Sequence, residues 1–306
     1  MSSNSTTGMD ASDLAAAAEP CPTPLVWHQI AQDFHASANS RLIETDRAVL
    51  KITEFGTGHP VVFLPGMCGS ARLFCLTAWL LKEEFHSILV ETPHFHRTPK
   101  PRQLVRETAE ALSLAIEHFS PGGADIYASA FSSQVALQIM MSHPQAIRSA
   151  FLQGAWATRT LTRMERAVLE IARWSPFKLK NMPWWQTAQI ENHRRWFPPF
   201  DETRFGFLLQ EAGESRTCDF ARQWLAAAQT DLRPMLPKIQ QPVCILHCEG
   251  EGQLIAAAEA ELETQLPHVR RIEMPHSGHY PYLTHPHRLV KLLKPFLTEN
   301  FIRSGP

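Results

Sequence analysis

The chain has 306 residues, of which 44% are hydrophobic and 19% are charged, enough to bury a sizeable core in one large α/β domain with an insertion or in two small domains. A formal net charge of −1 argues against a general nucleic-acid-binding protein. The sequence begins without a basic, apolar leader and holds no run of roughly 18 apolar residues, so we expect a cytoplasmic protein without a transmembrane segment.

Residues 1–24 are rich in Ser, Thr, Ala and Pro and show no apolar periodicity, a composition that predicts a disordered tail. From residue 48 onward, the short β-branched runs "AVLKITEFG", "HPVVFLPG" and "HSILVET" alternate with helical stretches near residues 71–84 and 103–119. Strands that alternate with helices predict a doubly wound, mostly parallel sheet. We assign residues 25–155 to the first part of this α/β core.

A strand, a turn of small residues and a helix follow in "YASAFSSQVALQIMMSHP", residues 127–144, and the next strand is "IRSAFLQGA". Residues 156–232 then look helical and do not alternate with strands, which predicts a helical cap inserted over the carboxyl ends of the strands. The alternation resumes with "QPVCILHC" and "VRRIEMP". We therefore assign residues 233–306 to the second part of the core.

The first cap helix has one apolar face. Leu161, Met164, Val168 and Ile171 recur at helical spacing, which is typical of an amphipathic helix. Such a face normally packs against the rest of its own protein, and we expect it to be buried rather than functional.

Basic and aromatic residues are concentrated in the cap. Residues 157–200 carry eight Lys or Arg against three Glu, together with several tryptophans. Trp184, Trp185, Arg194 and Arg195 are candidates to bind an anionic small molecule, an acidic protein partner or a membrane surface. The alternative is an ordinary solvated helix face, and the sequence leaves both interpretations open.

Several stretches, taken in order, carry a family resemblance. They are "VVFLPGMCGSARLF", "YASAFSSQVALQIMMSHP", "DLRPMLPKIQQPVCILHCEGEG" and "MPHSGHYPYLTHPHRLVKLLKPFL". With the cap between them, they resemble the α/β-hydrolase fold from about residue 40 to the end. More closely, "FLPGMCGSARLF", the short connection after "ILVETP" and "VRRIEMPHSGHYPYL" resemble the maspardin-type branch, whose members are regarded as adaptors rather than proven hydrolases.

The resemblance places Ala130 at the apex of the elbow, where the family has its nucleophile. The residues two before and two after the apex must be small, because strand and helix backbones approach closely there, and Ala128 and Ser132 satisfy this requirement. Placing Ser129 at the apex would put two aromatic side chains in the crowded positions. Placing Ser132 there would put a glutamine in one of them and start the helix too late. The serine nucleophile is therefore absent.

The resemblance also implies the other parts of a hydrolase site. The backbone N–H groups of Met67 and Phe131 would form an oxyanion hole. His279 matches the general base, and Glu251 matches the acid that orients it, with Glu249 as the alternative. The segment "HCEGEG" departs from the family pattern: an Asp is usual, a cysteine replaces a usual glycine, and its two glycines predict a loose loop.

Other candidate nucleophiles and ligands are weaker. Cys68 and Cys248 are conceivable substitute nucleophiles at the right end of the sheet, but elbow geometry rather than proximity aims an attacking atom. His94 and His96 have metal-like spacing without a third ligand nearby, so we predict no metal site. The six cysteines form no C-x-x-C pair, which predicts reduced thiols, and we expect no cofactor.

Two hypotheses about function follow. The first is a pseudohydrolase that binds a small molecule or a protein partner without turnover, which the maspardin-like segments and the loose acid loop favour. The second is an ester or acyl hydrolase, in which His279 activates water or in which a serine has been replaced by Ala130. The intact base and oxyanion loop favour this second hypothesis. We favour the non-catalytic binding protein, because alanine cannot form an acyl-enzyme.

Overall fold

The computed structural model describes residues 26–304, with side chains up to residue 300. The predicted disordered tail, residues 1–24, lies outside the described residues. The strands are β1 Asn39–Glu44, β2 Ala48–Phe55, β3 His59–Leu64, β4 Phe85–Val90, β5 His94–Phe95, β6 Ala124–Ser129, β7 Ile147–Gln153, β8 Val243–Cys248 and β9 Val269–Met274. The α-helices are α1 Trp27–Ser37, α2 Cys75–Leu81, α3 Pro101–Phe119, α4 Phe131–Ser142, α5 Arg163–Ala172, α6 Trp185–His193, α7 Glu202–Gly213, α8 Thr217–Gln229, α9 Gln253–Gln265, α10 Pro281–Thr284 and α11 Pro286–Ser304.

All nine strands form one sheet. Its order is β1-β2-β4-β3-β6-β7-β8-β9, with β5 paired to β2. The β2 strand is antiparallel to both β1 and β4, whereas the strands from β4 to β9 are parallel along this order. Parallel strands need helices on both faces, and every residue of β6 is buried. The predicted doubly wound, mostly parallel α/β fold is confirmed.

The hydrophobic core lies on both sides of the sheet. Ile126 and Ala128 of β6 pack in one cluster, which α3, α4 and α9 cover. Tyr127, whose side chain points to the opposite face, packs in a second cluster with α1, α2 and α11. This alternation follows from the two-residue period of a strand.

The sequence pattern did not predict α1 and β1. The side chains of β1 are mostly exposed, so its sequence lacks the apolar alternation that reveals a strand. Phe34 of α1 packs against Phe55 of β2, with 4.9 Å between ring centroids. Trp27 Nε1 of the same helix donates a hydrogen bond to Thr203 Oγ1 at 3.0 Å. The helix is therefore held by the sheet at one end and by α7 at the other.

Four helices, α5 to α8, lie between β7 and β8, where the sequence predicts the cap. A capping box begins α5: Thr162 Oγ1 accepts from the Glu165 N–H at 3.2 Å, and Glu165 Oε2 accepts from the Thr162 N–H at 2.8 Å, which satisfies two otherwise unpaired donors. None of the helices within residues 26–304 combines the length and apolarity that a membrane span requires.

The expectation that the apolar face of α5 is buried is wrong. Met164, Val168 and Ile171 are all exposed, and no residue of the helix is fully buried. The physical reason is that α5 approaches α8 along one side only, where Leu161 and Leu169 are half-buried. Periodicity identifies an apolar face but does not say whether the same chain covers it.

Candidate active site

The turn between β6 and α4 has the geometry of a nucleophile elbow. Ala130 has φ +50° and ψ −118°, a backbone conformation that residues other than glycine rarely adopt and that occurs at strained strand-to-helix turns. Its N–H donates to the carbonyl oxygen of Gln153, at the end of β7, at 2.9 Å. The apex of the elbow is thus a buried methyl group without an attacking atom.

The neighbouring serines are hydrogen bonded into the scaffold. Ser129 Oγ donates to Gln153 Oε1 at 3.2 Å. Ser132 Oγ and Ser133 Oγ each donate to a main-chain carbonyl at 2.5 Å. A hydroxyl that already donates its proton in this way is not presented to His279 as a nucleophile.

The loop after β3 lies against the elbow. A Cβ placed on Gly66 would lie 3.4 Å from the Cβ of Ala130, and the Gly69 N–H donates to the Gly66 carbonyl at 3.1 Å, closing a tight turn around Met67. Phe131 is the first residue of α4, where backbone N–H groups have no partner within the helix. Met67 and Phe131, the two candidate oxyanion donors, therefore lie on segments that meet at Ala130.

Glu251 and His279 are brought together from the ends of β8 and β9. His279 Nδ1 lies 2.8 Å from Glu251 Oε2, and only 4% of the Glu251 side chain is exposed. Burial alone would raise the pKa of Glu251, but the charge and hydrogen bonds of His279 and Gln153 hold that pKa below its ordinary value. Burial would likewise lower the pKa of His279, but Glu251 raises it above its ordinary value. The pair favours a charged imidazolium beside a carboxylate.

Gln153 connects the acid to the elbow, and the sequence analysis missed it. Its Nε2 donates to Glu251 Oε1 at 2.5 Å and to the His279 carbonyl at 3.0 Å. Its Oε1 accepts from Tyr127 Oη at 3.1 Å. The next residue, Gly154, has φ +58°, and a Cβ there would lie 3.0 Å from Glu251 Oε1. The Glu251 carboxylate is thus surrounded by Gln153, Gly154 and His279. The expectation of a loose acid loop is wrong.

Gly250 of the acid loop and Gly278 of the base loop make room for the cap, whereas a Cβ placed on Gly252, the other glycine of "HCEGEG", would have nothing within 4 Å. Trp196, in a short 3₁₀ turn after α6, packs directly on the acid and base loops: a Cβ would lie 2.6 Å from its ring on Gly250 and 2.4 Å on Gly278. Glu249, the alternative acid, is exposed and accepts instead from the His276 N–H at 2.7 Å. The structure therefore places Glu251, and not Glu249, against His279.

A second histidine, His193 at the end of α6, covers His279. The two rings are stacked with 5.9 Å between centroids, and the His193 ring lies edge-on to Tyr280 at 4.9 Å. Burial and the charge of His279 lower the pKa of His193 to about 3, so this imidazole is neutral at ordinary pH. His193 was not predicted, because a single histidine at a helix end has no characteristic sequence pattern.

The candidate binding residues of the cap differ in their surroundings. Trp185 is buried in the core, whereas Trp184 is half-exposed. The guanidinium of Arg194 lies 5.8 Å from the Phe205 ring, and that of Arg195 lies 4.8 Å from the Trp196 ring. The candidates that remain accessible for ligand binding at the cap surface or its edge are thus Trp184, Arg194 and Arg195. Trp185 packs in the core.

The other candidates do not form reactive centres. Burial raises the pKa of the Cys68 thiol to about 12 and raises that of Cys248 further, which disfavours the thiolate that attacks carbonyl groups. His96 Nε2 lies 3.0 Å from the Thr45 carbonyl oxygen. Among the described residues, no cluster of three or more His, Cys, Asp or Glu side chains could hold a metal ion.

Comparisons with known proteins agree with this architecture. The family model described as "Alpha/beta hydrolase family" matches residues 61–292. The chain is similar to the pimeloyl-[acyl-carrier protein] methyl ester esterases of Aromatoleum aromaticum, at 36% identity over 67 residues (22% of this chain, 27% of that protein), and Nitrosomonas europaea, at 22% over 263 residues (79% and 97%). The enol-lactonase from Burkholderia xenovorans LB400 superposes with a TM-score of 0.71 at 14% identity, covering 84% of this chain and 100% of that one. With the family model spanning most of the chain, this protein belongs to the alpha/beta hydrolase family.

Proposed function

We propose that the protein binds an acyl ester at the elbow and does not process it through a covalent intermediate. One observation carries this proposal: the apex of the elbow is the methyl group of Ala130, while the Glu251–His279 pair remains hydrogen bonded at 2.8 Å. A carbonyl group is held by oxyanion donors without any contribution from the nucleophile. Binding can therefore persist where acyl transfer cannot.

Energetics support binding over turnover. In triad enzymes, loss of the nucleophile leaves an acceleration of only about 10³ to 10⁴ over the uncatalysed reaction. Full enzymatic accelerations are typically about 10⁶ to 10¹⁷, so the remaining rate would be that of a poor enzyme. The loss of one oxygen atom is thus compatible with a ligand-binding role and not with efficient esterase activity.

The ligand class follows from the site and from the relatives. The curated relatives are named for a methyl ester of an acyl group on a carrier protein, and an oxyanion hole recognises the ester carbonyl rather than the group attached to it. We therefore propose an acyl ester as the ligand. The maspardin-like segments of the sequence support the same non-catalytic, adaptor-type role, in which the cap presents the ligand-bound state to a protein partner.

A second candidate function is hydrolysis by water that His279 activates. The observation in its favour is the raised pKa of His279, which the Glu251 carboxylate causes and which is typical of a general base with an orienting acid. This reaction needs no serine. It predicts slow ester hydrolysis that disappears in His279→Ala.

The proposal is tested with a covalent serine probe and a short activated ester. The native chain should bind the ester, measured by tryptophan fluorescence, and should neither hydrolyse it at a useful rate nor react with a fluorophosphonate. Ala130→Ser should react with the probe and hydrolyse the ester at least about 10²-fold faster, because the hydroxyl would meet a base and oxyanion donors already in place.

Matched controls separate the two functions. Ala130→Ser combined with His279→Ala should lose both the labelling and the hydrolysis. Labelling of the native chain, or native hydrolysis as fast as that of the serine variant, would overturn the non-catalytic proposal. Slow native hydrolysis that depends on His279 would support the water-activating enzyme instead, and failure to bind the ester would reject the proposed ligand.

A further inference from the structure

The exposed side of α5 is an unusually apolar surface for a helix of a globular protein. Met164, Val168 and Ile171 are 78%, 58% and 77% exposed, and Trp174 and Phe177, which follow the helix, are 73% and 56% exposed. Isolated exposed apolar residues are common, but large contiguous patches mark sites of interaction with proteins, ligands or membranes. We call this surface, formed by these five residues, the α5 face.

An apolar groove adjoins the α5 face. It has a volume of about 340 Å³, lies between α5 and α8, and is lined by Leu161, Leu169, Phe220 and Trp224 together with residues of the face. Trp224 in turn stacks on Trp156 with 6.4 Å between ring centroids. The apolar surface thus continues from the exterior of the cap toward the end of β7, where Gln153 and Gly154 hold the acid.

The charge around the α5 face is strongly positive. The segment 159–180 carries six Lys or Arg and two Glu, a net charge of +4 within a chain whose formal net charge is −1; of these cations, Lys178 and Lys180 pair with Glu214 and Arg173 pairs with Glu170. The remaining sequence therefore has a net charge of −5. Arg163 and Arg166 are exposed on α5 itself, and neither guanidinium is among the ion pairs found within the described residues. Unpaired positive charge therefore lies on the helix that carries the apolar patch.

We propose that the α5 face is a docking surface for an anionic lipid bilayer. An amphipathic helix with aliphatic residues on one side and arginines on its polar side lies in the interface plane of a membrane, with its apolar side among the acyl chains. Each cation near an anionic bilayer adds an electrostatic attraction that weakens as the salt concentration rises. This proposal goes beyond ligand binding at the elbow, since docking needs neither turnover nor an occupied site.

Charge also argues against a second copy of the chain as the occupant. In a twofold dimer the same patch meets itself, so the arginines of the two α5 helices would be brought near one another. Like charges placed together across an interface are costly. An anionic bilayer instead supplies apolar and negatively charged groups at once, which match both properties of the surface.

The test is flotation of the full chain with vesicles at low salt. Vesicles of phosphatidylcholine containing about 30% phosphatidylglycerol should carry the protein, whereas vesicles of phosphatidylcholine alone should carry much less. Met164→Ser with Ile171→Ser should lower binding at least about tenfold, because it removes apolar surface that the bilayer would bury. Arg163→Glu with Arg166→Glu should lower it similarly and make it insensitive to the anionic lipid.

A matched control uses exposed apolar residues outside the cap. Leu42 on β1 and Leu254 on α9 are also exposed, and Leu42→Ser with Leu254→Ser should bind vesicles as the native chain does. Absence of binding to anionic vesicles, or equal binding by the Met164/Ile171 variant, would overturn the proposal. A dimer would also overturn the proposal if light scattering detects it without lipid and the Met164/Ile171 variant dissociates it. A second copy of the chain would then be the occupant of the α5 face. Ester binding at the elbow should be unchanged in every variant, so failure here is distinct from failure of the proposed function.

Discussion

At the scale of single residues, Ala130 is held in a conformation that disfavours its own side chain. A non-glycine residue in such a region costs about 1–3 kcal/mol, and glycine adopts positive φ freely at the expense of roughly 0.5–1 kcal/mol of chain entropy. A serine enzyme tolerates this strain because the turn presents its nucleophile. In this chain the strain remains although the nucleophile is absent.

This strain predicts that Ala130→Gly stabilises the protein. We expect the free energy of unfolding to rise by about 1 kcal/mol, the strain relieved less the entropy added to the unfolded chain. Ala128→Gly is the matched control: the residue lies inside β6, where glycine weakens a strand. Thermal and denaturant unfolding measure both changes. A loss of stability in Ala130→Gly would show that the elbow stores no strain.

The Glu251–His279 pair predicts a pH profile for the Ala130→Ser variant. Only the neutral imidazole accepts a proton, and Glu251 raises the pKa of His279, so the rate should rise with pH and reach half its maximum above the ordinary histidine value of about 6.5. Glu251→Gln in the same background should move the midpoint to lower pH and reduce the maximal rate by about 10²- to 10⁴-fold. An unchanged midpoint would mean that Glu251 does not control the charge of His279.

At the scale of elements, Trp196 packs the cap onto the core at two glycines, Gly250 and Gly278. Gly278→Ala would bring a Cβ to 2.4 Å from the Trp196 ring, so we expect a loss of about 1–3 kcal/mol from overpacking. Adding Trp196→Ala should remove the clash, so the two changes should be strongly non-additive. Gly206→Ala on α7 is the control, because nothing lies within 4 Å of the added Cβ. Additive effects would show that Trp196 does not rest on the base loop.

The elements also show what sequence can and cannot predict. The position of the elbow apex was assigned from local sterics, because the small residues that the turn requires lie within two positions of Ala130. His193 and Trp196 were missed because their contacts depend on how the cap docks onto loops 54 to 86 residues away in sequence. Gln153 was missed because a glutamine at a strand end has no characteristic pattern. Gly250 of the acid loop was misleading because flexibility and close packing both favour glycine, and this glycine lies against the Trp196 ring.

At the scale of the whole molecule, the acid and base also stabilise the fold. Glu251 is nearly inaccessible and joins Gln153, Gly154 and His279 from three neighbouring strand ends. Removing one partner of a buried charged pair typically costs about 3–5 kcal/mol. A requirement for stability alone would therefore favour keeping both residues. An intact Glu251–His279 pair is consistent with a binding protein and does not require catalysis.

The pH dependence of stability should reveal how the cap encloses the site. His193 has an ordinary pKa of 6.5 that falls to about 3 in the folded chain. Between these values the unfolded chain binds the proton and the folded chain does not, so stability from this group is present above pH 6.5 and is lost as the pH falls toward 3.

His193→Phe keeps an aromatic ring against His279 and Tyr280 but cannot be protonated. Its free energy of unfolding should therefore fall less than that of the native chain between about pH 7 and pH 5. His193 influences the pKa of Glu251 less than burial, His279 and Gln153 do, so the difference between the two curves reports mainly on position 193. His94→Phe, at an exposed position, should leave the native pH dependence unchanged. Identical curves for His193→Phe and the native chain would mean that water reaches His193, and that the cap does not close over the base.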